Sequence, residues 1–372
     1  MSEIIEPLVQ ERPLTRDAEA TTLKRTTQPA HPGFNFEDLI QSDNIIILRS
    51  ARDIQTMSLE KVLETKPHAY ADGESPCIFV QEKINNVRYI NKFFESVNQC
   101  LPTDGLFIGC VQTATLRKKS IYKKYGNAIA KVYYPLDYVV NRVLPKIPYI
   151  KQAYFGVTKG RNRALTEMEI LGRLYSCGFS LLHRLIIGEN VYFVVRKVKQ
   201  PEFNVKATYG PIITLQRFGE NRKKISVYKL RTMYPYSEYL QPYVYELRGL
   251  QEGGKIKNDP RINSIGNFCR KYWLDEIPML YNLLRGDLKF IGVRPLSSHY
   301  LSLYPKEFQE YRNNFKPGLI PPYYADMPKT FEEIKESEER YLRAYEQNRF
   351  KTDLKYLYKI LYNIFIRGSR SK

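Results

Sequence analysis

The tetrapeptide Asp275-Glu276-Ile277-Pro278 constrains this chain more than any other, because it fixes a helix start inside the most densely charged stretch. A proline ring locks φ and lacks an N–H, so within a helix it is tolerated only in the first turn. Gly286 then supplies the residue that commonly ends a helix in the left-handed region. The spacing predicts a helix over 275–285 with both carboxylates at its N-terminus. Free N–H groups and the helix dipole favour an anion there. Asp-Glu is therefore ordinary helix-start chemistry, and equally a place where an ionised Asp is competent to attack phosphorus. Residues 257–295 add Asn258-Asp259-Pro260-Arg261, Arg270-Lys271, Arg285-Gly286-Asp287 and Val293-Arg294-Pro295, separated by short apolar runs.

The charge of the whole chain points to an anionic partner. Its 372 residues carry a net charge of +19, spread unevenly: residues 1–100 hold 11 basic and 15 acidic residues, residues 101–300 hold 33 and 14. Nucleic acid, anionic lipid and a phosphorylated substrate all fit such a balance. At 43% hydrophobic and 26% charged the chain is globular, with length for two domains. Its five cysteines are widely spaced and contain no C-x-x-C, which suggests neither zinc nor a disulfide framework and fits a reducing, cytoplasmic compartment. The first residues lack the apolar core of a signal peptide, and no run of apolar residues is long enough to span a bilayer.

Residues 1–33 read as a loose, proline-containing leader. Asn44–Leu48 and Cys77–Val80 read as buried strands, and Val87, Ile90, Phe94, Val97 and Leu101 follow helical spacing. Asp104-Gly105 turns the chain into a strand at 106–111, followed by a basic cluster, Arg117 to Lys124. Thr166 with Glu169 forms a capping box for a helix that ends at Gly178. Residues 179–187 and 191–198 form a strand pair around Gly188-Glu189-Asn190. Past a polar linker at 199–208, strands are expected at 212–215 and 225–230 and a Tyr- and Gly-rich loop at 234–256. Further helices are expected at 297–313 and 330–366.

The α/β pattern of residues 34–200 resembles the later half of a class I methyltransferase-like domain. No Gly-rich G-x-G turn occurs in residues 34–100, so a degenerate domain without cofactor is expected. The second half, residues 201–372, is expected to be α+β and carries a more specific likeness. Gly210-Pro211 with Gln216-Arg217, Tyr228-Lys229-Leu230-Arg231-Thr232-Met233, Asn258-Asp259-Pro260-Arg261-Ile262, Leu274-Asp275-Glu276-Ile277-Pro278, Asn282 with Arg285-Gly286-Asp287, Gly292-Val293-Arg294-Pro295, Lys316-Pro317-Gly318 and Asp353-Leu354-Lys355 follow one another in order. Residues 210–366 thereby resemble the bacterial sugar transferases, the polyprenyl-phosphate glycosyl-1-phosphate (phosphoglycosyl) transferases.

That resemblance implies transfer of a sugar-1-phosphate from a nucleotide sugar, a UDP-sugar by family habit, to a polyprenyl phosphate at the cytoplasmic membrane face. The step would initiate exopolysaccharide, capsule or glycan assembly beside other glycan-biosynthesis enzymes. It implies Asp275 as the nucleophile and Glu276 as a ligand of Mg²⁺, which neutralises diphosphate charge. Lys229 and Arg231, two apart on a strand, share a face. With Arg261, Arg270 and Arg294 they could grip phosphate oxygens, or form a solvated basic face. Asp259 and Asp287 could orient those cations or reach the metal, and His299 could contact nucleotide. Tyr272 and Trp273 read as core or interface. Nucleic acid is not an expected partner, since no recognised module backs it.

Two features depart from the family's pattern. The apolar, Ser-Pro-broken membrane helix that usually precedes the domain is replaced at 170–209 by strand-like, basic sequence, and Pro-Gly-Ile-Thr-Gly becomes Pro317-Gly318-Leu319-Ile320-Pro321-Pro322. A family member that binds nucleotide sugar or a partner enzyme without turnover is the alternative reading. Leu354, Leu357, Tyr358, Leu361, Ile364 and Phe365 recur at helical spacing among lysines and arginines. They predict either an in-plane membrane helix or a helix packed on its own domain, and the two can hold together.

Overall fold

The computed structural model describes residues 45–65, 75–203, 210–248 and 258–367, and divides into two compact units, Met1–Lys206 and Ala207–Lys372. The expected leader at 1–33 lies outside the described residues, as does the second half of the linker, 204–208.

The first unit is α/β. Its sheet contains β1 (Ile45–Leu48), β2 (Cys77–Val80), β3 (Leu106–Val111), β4 (Phe179–Ile187) and β5 (Asn190–Lys197), in the order β1-β2-β3-β5-β4. The first three strands are parallel, and β5 runs antiparallel between β3 and β4. The core forms where Phe94, on helix Ile90–Cys100, meets Phe107 and Phe193, with Phe107 in turn against Phe179. All four rings are below 2% exposed. The likeness to a methyltransferase-like domain goes no further than this strand pattern. Two local expectations change. β1 pairs only with β2 among the described strands, and Ile47 is exposed, so it is an edge and not a buried strand. Thr166 caps the helix Glu167–Ser176 by accepting from the Glu169 N–H, but the Glu169 side chain does not close the box. It turns inward to Arg142, Lys146 and Arg173. Burial alone would raise its pKa; the three cations hold it well below the usual carboxylate range.

Residues 114–158 are largely helical, which the basic cluster did not announce. Ala114–Tyr138 is two helices joined at Gly126, whose φ of 71° breaks the first. A π-helical turn, Val139–Val143, and the helix Ile150–Thr158 follow.

In the second unit β6 (Ile212–Phe218) and β7 (Lys224–Leu230) form an antiparallel pair, and β8 (Lys289–Ile291) and β9 (Gly318–Ile320) a parallel one. The predicted helix over 275–285 is in fact two pieces. Leu274–Glu276 is a 3-10 turn entered through Trp273 at φ 56°, and Met279–Leu284 is a short helix that begins after Pro278. Gly286, at φ 76°, ends it as expected. Helix Ser264–Lys271 was not anticipated. The loop expected at 234–256 is helical over Ser237–Leu240 and Gln241–Arg248, because buried Tyr236, Leu240 and Val244 anchor one face; 249–257 lie outside the described residues. The helix expected near 297–313 breaks at Pro305 into Ser298–Leu301 and Lys306–Asn313. The one expected at 330–366 breaks at Asn348 into Phe331–Gln347 and Arg349–Phe365.

Helix Arg349–Phe365 divides its apolar residues. Tyr356 and Ile360 are buried in the unit's core, with Leu357 and Ile364 packed against it. Leu354, Tyr358, Leu361 and Phe365 stay exposed. The reading of a helix packed on its own domain is borne out by the first set, and the second set leaves an exposed apolar stripe. No helix among the described residues is long and apolar enough to cross a membrane.

Asn282 joins the short helix to the β6–β7 ribbon. It is fully buried, accepts from the Tyr228 N–H (3.1 Å) and donates to the Ser226 carbonyl (2.7 Å). Asn282→Ala orphans both backbone groups, so the urea unfolding free energy of the protein should fall by about 2–3 kcal/mol; an unchanged midpoint would contradict this role.

Candidate active site

The site is assembled from five segments of the second unit. β7 brings Lys229 to its end, where the ammonium donates to Glu276 Oε1 at 2.6 Å. Burial lowers the Lys229 pKa and Arg294 adds to this, while Glu276 and Asp275 oppose it. Just past the strand, Arg231 Nε donates to the Gly210 carbonyl at 3.0 Å.

The helix Ser264–Lys271 delivers Arg270. It lies hard against the residue after Arg231: a Cβ on Gly266 would meet the Thr232 carbonyl oxygen at 2.2 Å, so only glycine fits. Asn263 caps the helix through the Gly266 N–H at 2.6 Å. Arg270 Nε then donates to Thr232 Oγ1 at 2.9 Å, with Asp275 and Asp259 within its electrostatic reach.

The 3-10 turn presents the two carboxylates. Glu276 is held by Lys229, whereas Asp275 accepts no hydrogen bond from another residue among the described ones. It is half-buried, and its pKa is raised, chiefly by burial and further by Glu276; Lys229 and Arg270 work against the shift. The correction to the helix matters here. The carboxylates sit on a turn before the helix, so the charge around Asp275 comes from Lys229 and Arg270 more than from helical N–H groups.

Arg294 follows β8. Gly292 and Gly318 meet backbone to backbone, a Cβ on Gly318 falling 2.1 Å from the Gly292 nitrogen, so the ends of β8 and β9 can touch. The Arg294 carbonyl is held by buried Arg312, which pairs with Glu338. The exposed Arg294 side chain reaches toward Tyr323, with Glu276 and Tyr324 nearby. Arg217 on β6 joins the cations: burial and Arg294 lower its pKa. Tyr324 accepts from Trp273 Nε1 at 2.8 Å with the rings edge to face, which fixes the entry to the carboxylate turn.

Asp275, Glu276, Lys229, Arg270 and Arg294 are thus brought together. The other expected site residues are not: Arg231 is turned to the Gly210 carbonyl, and Asp259, Arg261, Asp287 and His299 fall as follows. Buried Arg261 spends its fork on Asp259, the Ser237 carbonyl and Gln241, so Asp259 and Arg261 brace the neighbouring helix and leave no fork for a phosphate. Asp287 lies at the far end of the short helix, bonded to Asn282 and paired with Arg285. His299 falls on helix Ser298–Leu301, and its side chain is outside the described residues. Sequence reasoning assigned no role to Thr232, Tyr323 or Tyr324. The two tyrosines follow the altered Pro321-Pro322, and that departure was the available signal.

Among the described residues no three His, Cys, Asp or Glu side chains lie together as a metal cage. Mg²⁺ characteristically takes one or two carboxylates and fills its shell with water and substrate phosphates. Asp275 and Glu276 suit that donor set.

Cations converging around a carboxylate that has no partner among the described residues form a site suited to an anion such as a phosphate. Residues 200–367, which lie almost wholly in the second unit, match the family described as bacterial sugar transferase. The chain is similar to the undecaprenyl-phosphate galactose phosphotransferase of Salmonella typhimurium, 38% identical over 163 residues, which cover 42% of this chain and 33% of the relative. It is 33% identical to the galactosyl transferase CpsE of Streptococcus agalactiae over 38% of this chain and 30% of the relative. It is 32% identical to the UDP-glucose:undecaprenyl-phosphate glucose-1-phosphate transferase of Escherichia coli over 30% and 22%. The chain spans about a third or less of the length of these curated relatives.

A raised carboxyl pKa means that the folded state holds its proton longer than the unfolded state does. The stability this contributes is present below the unfolded Asp value and is lost as pH rises through the folded one. Asp275→Asn should therefore raise the thermal midpoint at pH 7, with the gain vanishing in acid below the usual Asp range. A midpoint difference independent of pH would refute the assignment.

Proposed function

We propose that the second unit transfers a sugar-1-phosphate from a nucleotide sugar, in particular a UDP-sugar, to polyprenyl phosphate through an aspartyl intermediate. The observation that carries this reading is Asp275: a half-buried carboxylate without a hydrogen-bond partner among the described residues, beside Lys229 and Arg270, on a turn that Trp273 and Tyr324 hold in place. In the first step an Asp275 oxygen attacks the sugar-bearing phosphorus. The bond from that phosphorus to the bridging oxygen breaks, and the nucleoside monophosphate leaves with its electron pair. In the second step an oxygen of polyprenyl phosphate attacks the same phosphorus. The bond to Asp275 breaks, freeing the carboxylate and the polyprenyl diphosphate sugar.

Lys229, Arg270 and Arg294 would stabilise the charge that accumulates on the non-bridging oxygens, where positioning and electrostatics supply most of the catalysis. Glu276 would help hold Mg²⁺, whose chemistry is to neutralise diphosphate charge. The acceptor implies work at the inner face of the cell membrane as a peripheral protein, with the exposed stripe Leu354, Tyr358, Leu361 and Phe365 as one candidate contact. The relatives' names support the substrate classes, since they specify undecaprenyl phosphate and, in the Escherichia coli relative, UDP-glucose.

With labelled UDP-sugars and undecaprenyl phosphate, Asp275→Asn should lower product formation at least about a thousandfold, as loss of a covalent nucleophile does elsewhere. Without acceptor, the parent protein should release one equivalent of nucleoside monophosphate and gain the mass of the phosphosugar at Asp275. Chelation of divalent ions should stop both steps. Unaltered turnover by Asp275→Asn would remove the nucleophile, and nucleotide-sugar binding without monophosphate release would favour a binding protein.

A further inference from the structure

The first unit contains a helical segment whose polarity is inside out. Across residues 127–143, Ile129, Val132, Tyr133, Leu136, Val140 and Val143 recur at three- and four-residue spacing, which places them on one face. All six are exposed, Val132 at 67% and Leu136 at 62%. The opposite face carries the buried residues Ala130, Asp137 and Arg142, two of the three charged. Asp137 receives both ends of the Arg117 fork at 2.6 Å and the Asn141 amide at 2.9 Å. Arg142 pairs with Glu169, itself 1% exposed, at 2.5 Å. A helix on a water-facing surface does the reverse, turning its apolar stripe inward and its charges out. An apolar face of this extent marks a contact with something other than water.

The charge around the stripe selects the occupant. Lys131 within the segment and Lys118, Lys119, Lys123 and Lys124 in the helix just before it are exposed, and the following helix adds Lys151. Between Gly105 and Thr166 the one acidic residue is Asp137, which is buried under Arg117. A second copy of this chain would bring two cationic rims together, and like charges oppose such a contact. An anionic bilayer satisfies both halves of the pattern, taking the apolar stripe into its acyl boundary and the lysines at its headgroups. Tyr125, Tyr133 and Tyr149, all exposed, have the amphipathic ring that favours this depth. At about 1.5 Å per residue the segment is too short to span and suits a position in the plane.

We propose that residues 127–143 of the first unit are a membrane-docking helix that seats the protein on anionic lipid through its inverted apolar face. The proposal rests on the lipid-acceptor reading only for its purpose: docking would hold the transferase domain at the surface that carries its acceptor. It also places membrane attachment outside the segment that matches the transferase family.

The test is flotation of the full chain on vesicles of phosphatidylglycerol with phosphatidylcholine and on pure phosphatidylcholine. The parent should float on the anionic vesicles. Val132→Glu with Leu136→Glu, two exposed positions, should weaken that binding at least about tenfold while circular dichroism and the thermal midpoint stay at parent values. Replacing Lys123, Lys124 and Lys131 by Gln should weaken it about fivefold per lysine. Leu354→Glu with Tyr358→Glu should leave a substantial bound fraction. Parent-level flotation of the Val132/Leu136 variant, or parent protein that floats on neither vesicle, overturns the proposal. So does loss of all binding in the Leu354/Tyr358 variant, or a lipid-free dimer that the Val132/Leu136 variant dissociates. Asp275→Asn should float as the parent does, and the Val132/Leu136 variant should still release nucleoside monophosphate in the absence of acceptor. Failure of docking and failure of the Asp275 chemistry therefore give different results.

Discussion

The ion pair between Lys229 and Glu276, 2.6 Å long, is the contact on which the site depends. It crosses from the end of a strand to a turn 47 residues later and leaves the adjacent carboxylate unclaimed. Burial makes the Lys229 ammonium shed its proton more readily, and the Glu276 carboxylate beside it opposes that loss. Both charges contribute to the field felt by Asp275. Among the described residues Asp275 receives neither an ion pair nor a hydrogen bond from a neighbouring side chain. The role proposed for it requires this combination, with charge nearby and a carboxylate oxygen free.

Most of the second unit's motif residues serve to keep that turn where it is. Asn282 ties the short helix to β7, and Gly266 lets another helix press against Thr232. Gly292 and Gly318 permit the backbone contact from which Arg294 emerges. Asp259 and Arg261 satisfy one another, and Lys289 is engaged by Asp353 and Tyr341. Buried ion pairs of this kind contribute little net stability against a well-packed apolar alternative, yet losing one partner is costly. They act by excluding other arrangements of the loops that carry Asp275, Arg270 and Arg294.

The first unit uses the same device for a different end. Arg117 with Asp137, and Glu169 with Arg142, Lys146 and Arg173, bury charge under the helical segment 127–143. Because the anchoring contacts are ionic, the segment's apolar side chains are not needed inward and are left on the surface. Hydrophobic burial cannot then explain why they are apolar, which is the physical ground for assigning that face to a lipid surface.

The sequence by itself determined the boundaries that backbone chemistry and simple periodicity control: Gly178 and Gly286 at helix ends, the Asp104-Gly105 turn, the β4–β5 hairpin, and the buried strands β2 and β3. It also determined the transferase likeness, since ordered motifs need no geometry to be read. Tertiary structure decided what each charged residue is for. Arg261 and Arg270 look alike in sequence, but one is saturated by Asp259, Ser237 and Gln241 while the other is aimed at Asp275. Only packing revealed the helices at 114–158 and 264–271. The rule that apolar residues face inward fails where ion pairs fill the interior, and Gly266 is a close contact that spacing does not encode. Partner choice depends on residues far apart in the chain, so the folded arrangement alone separates a brace from a reactive group.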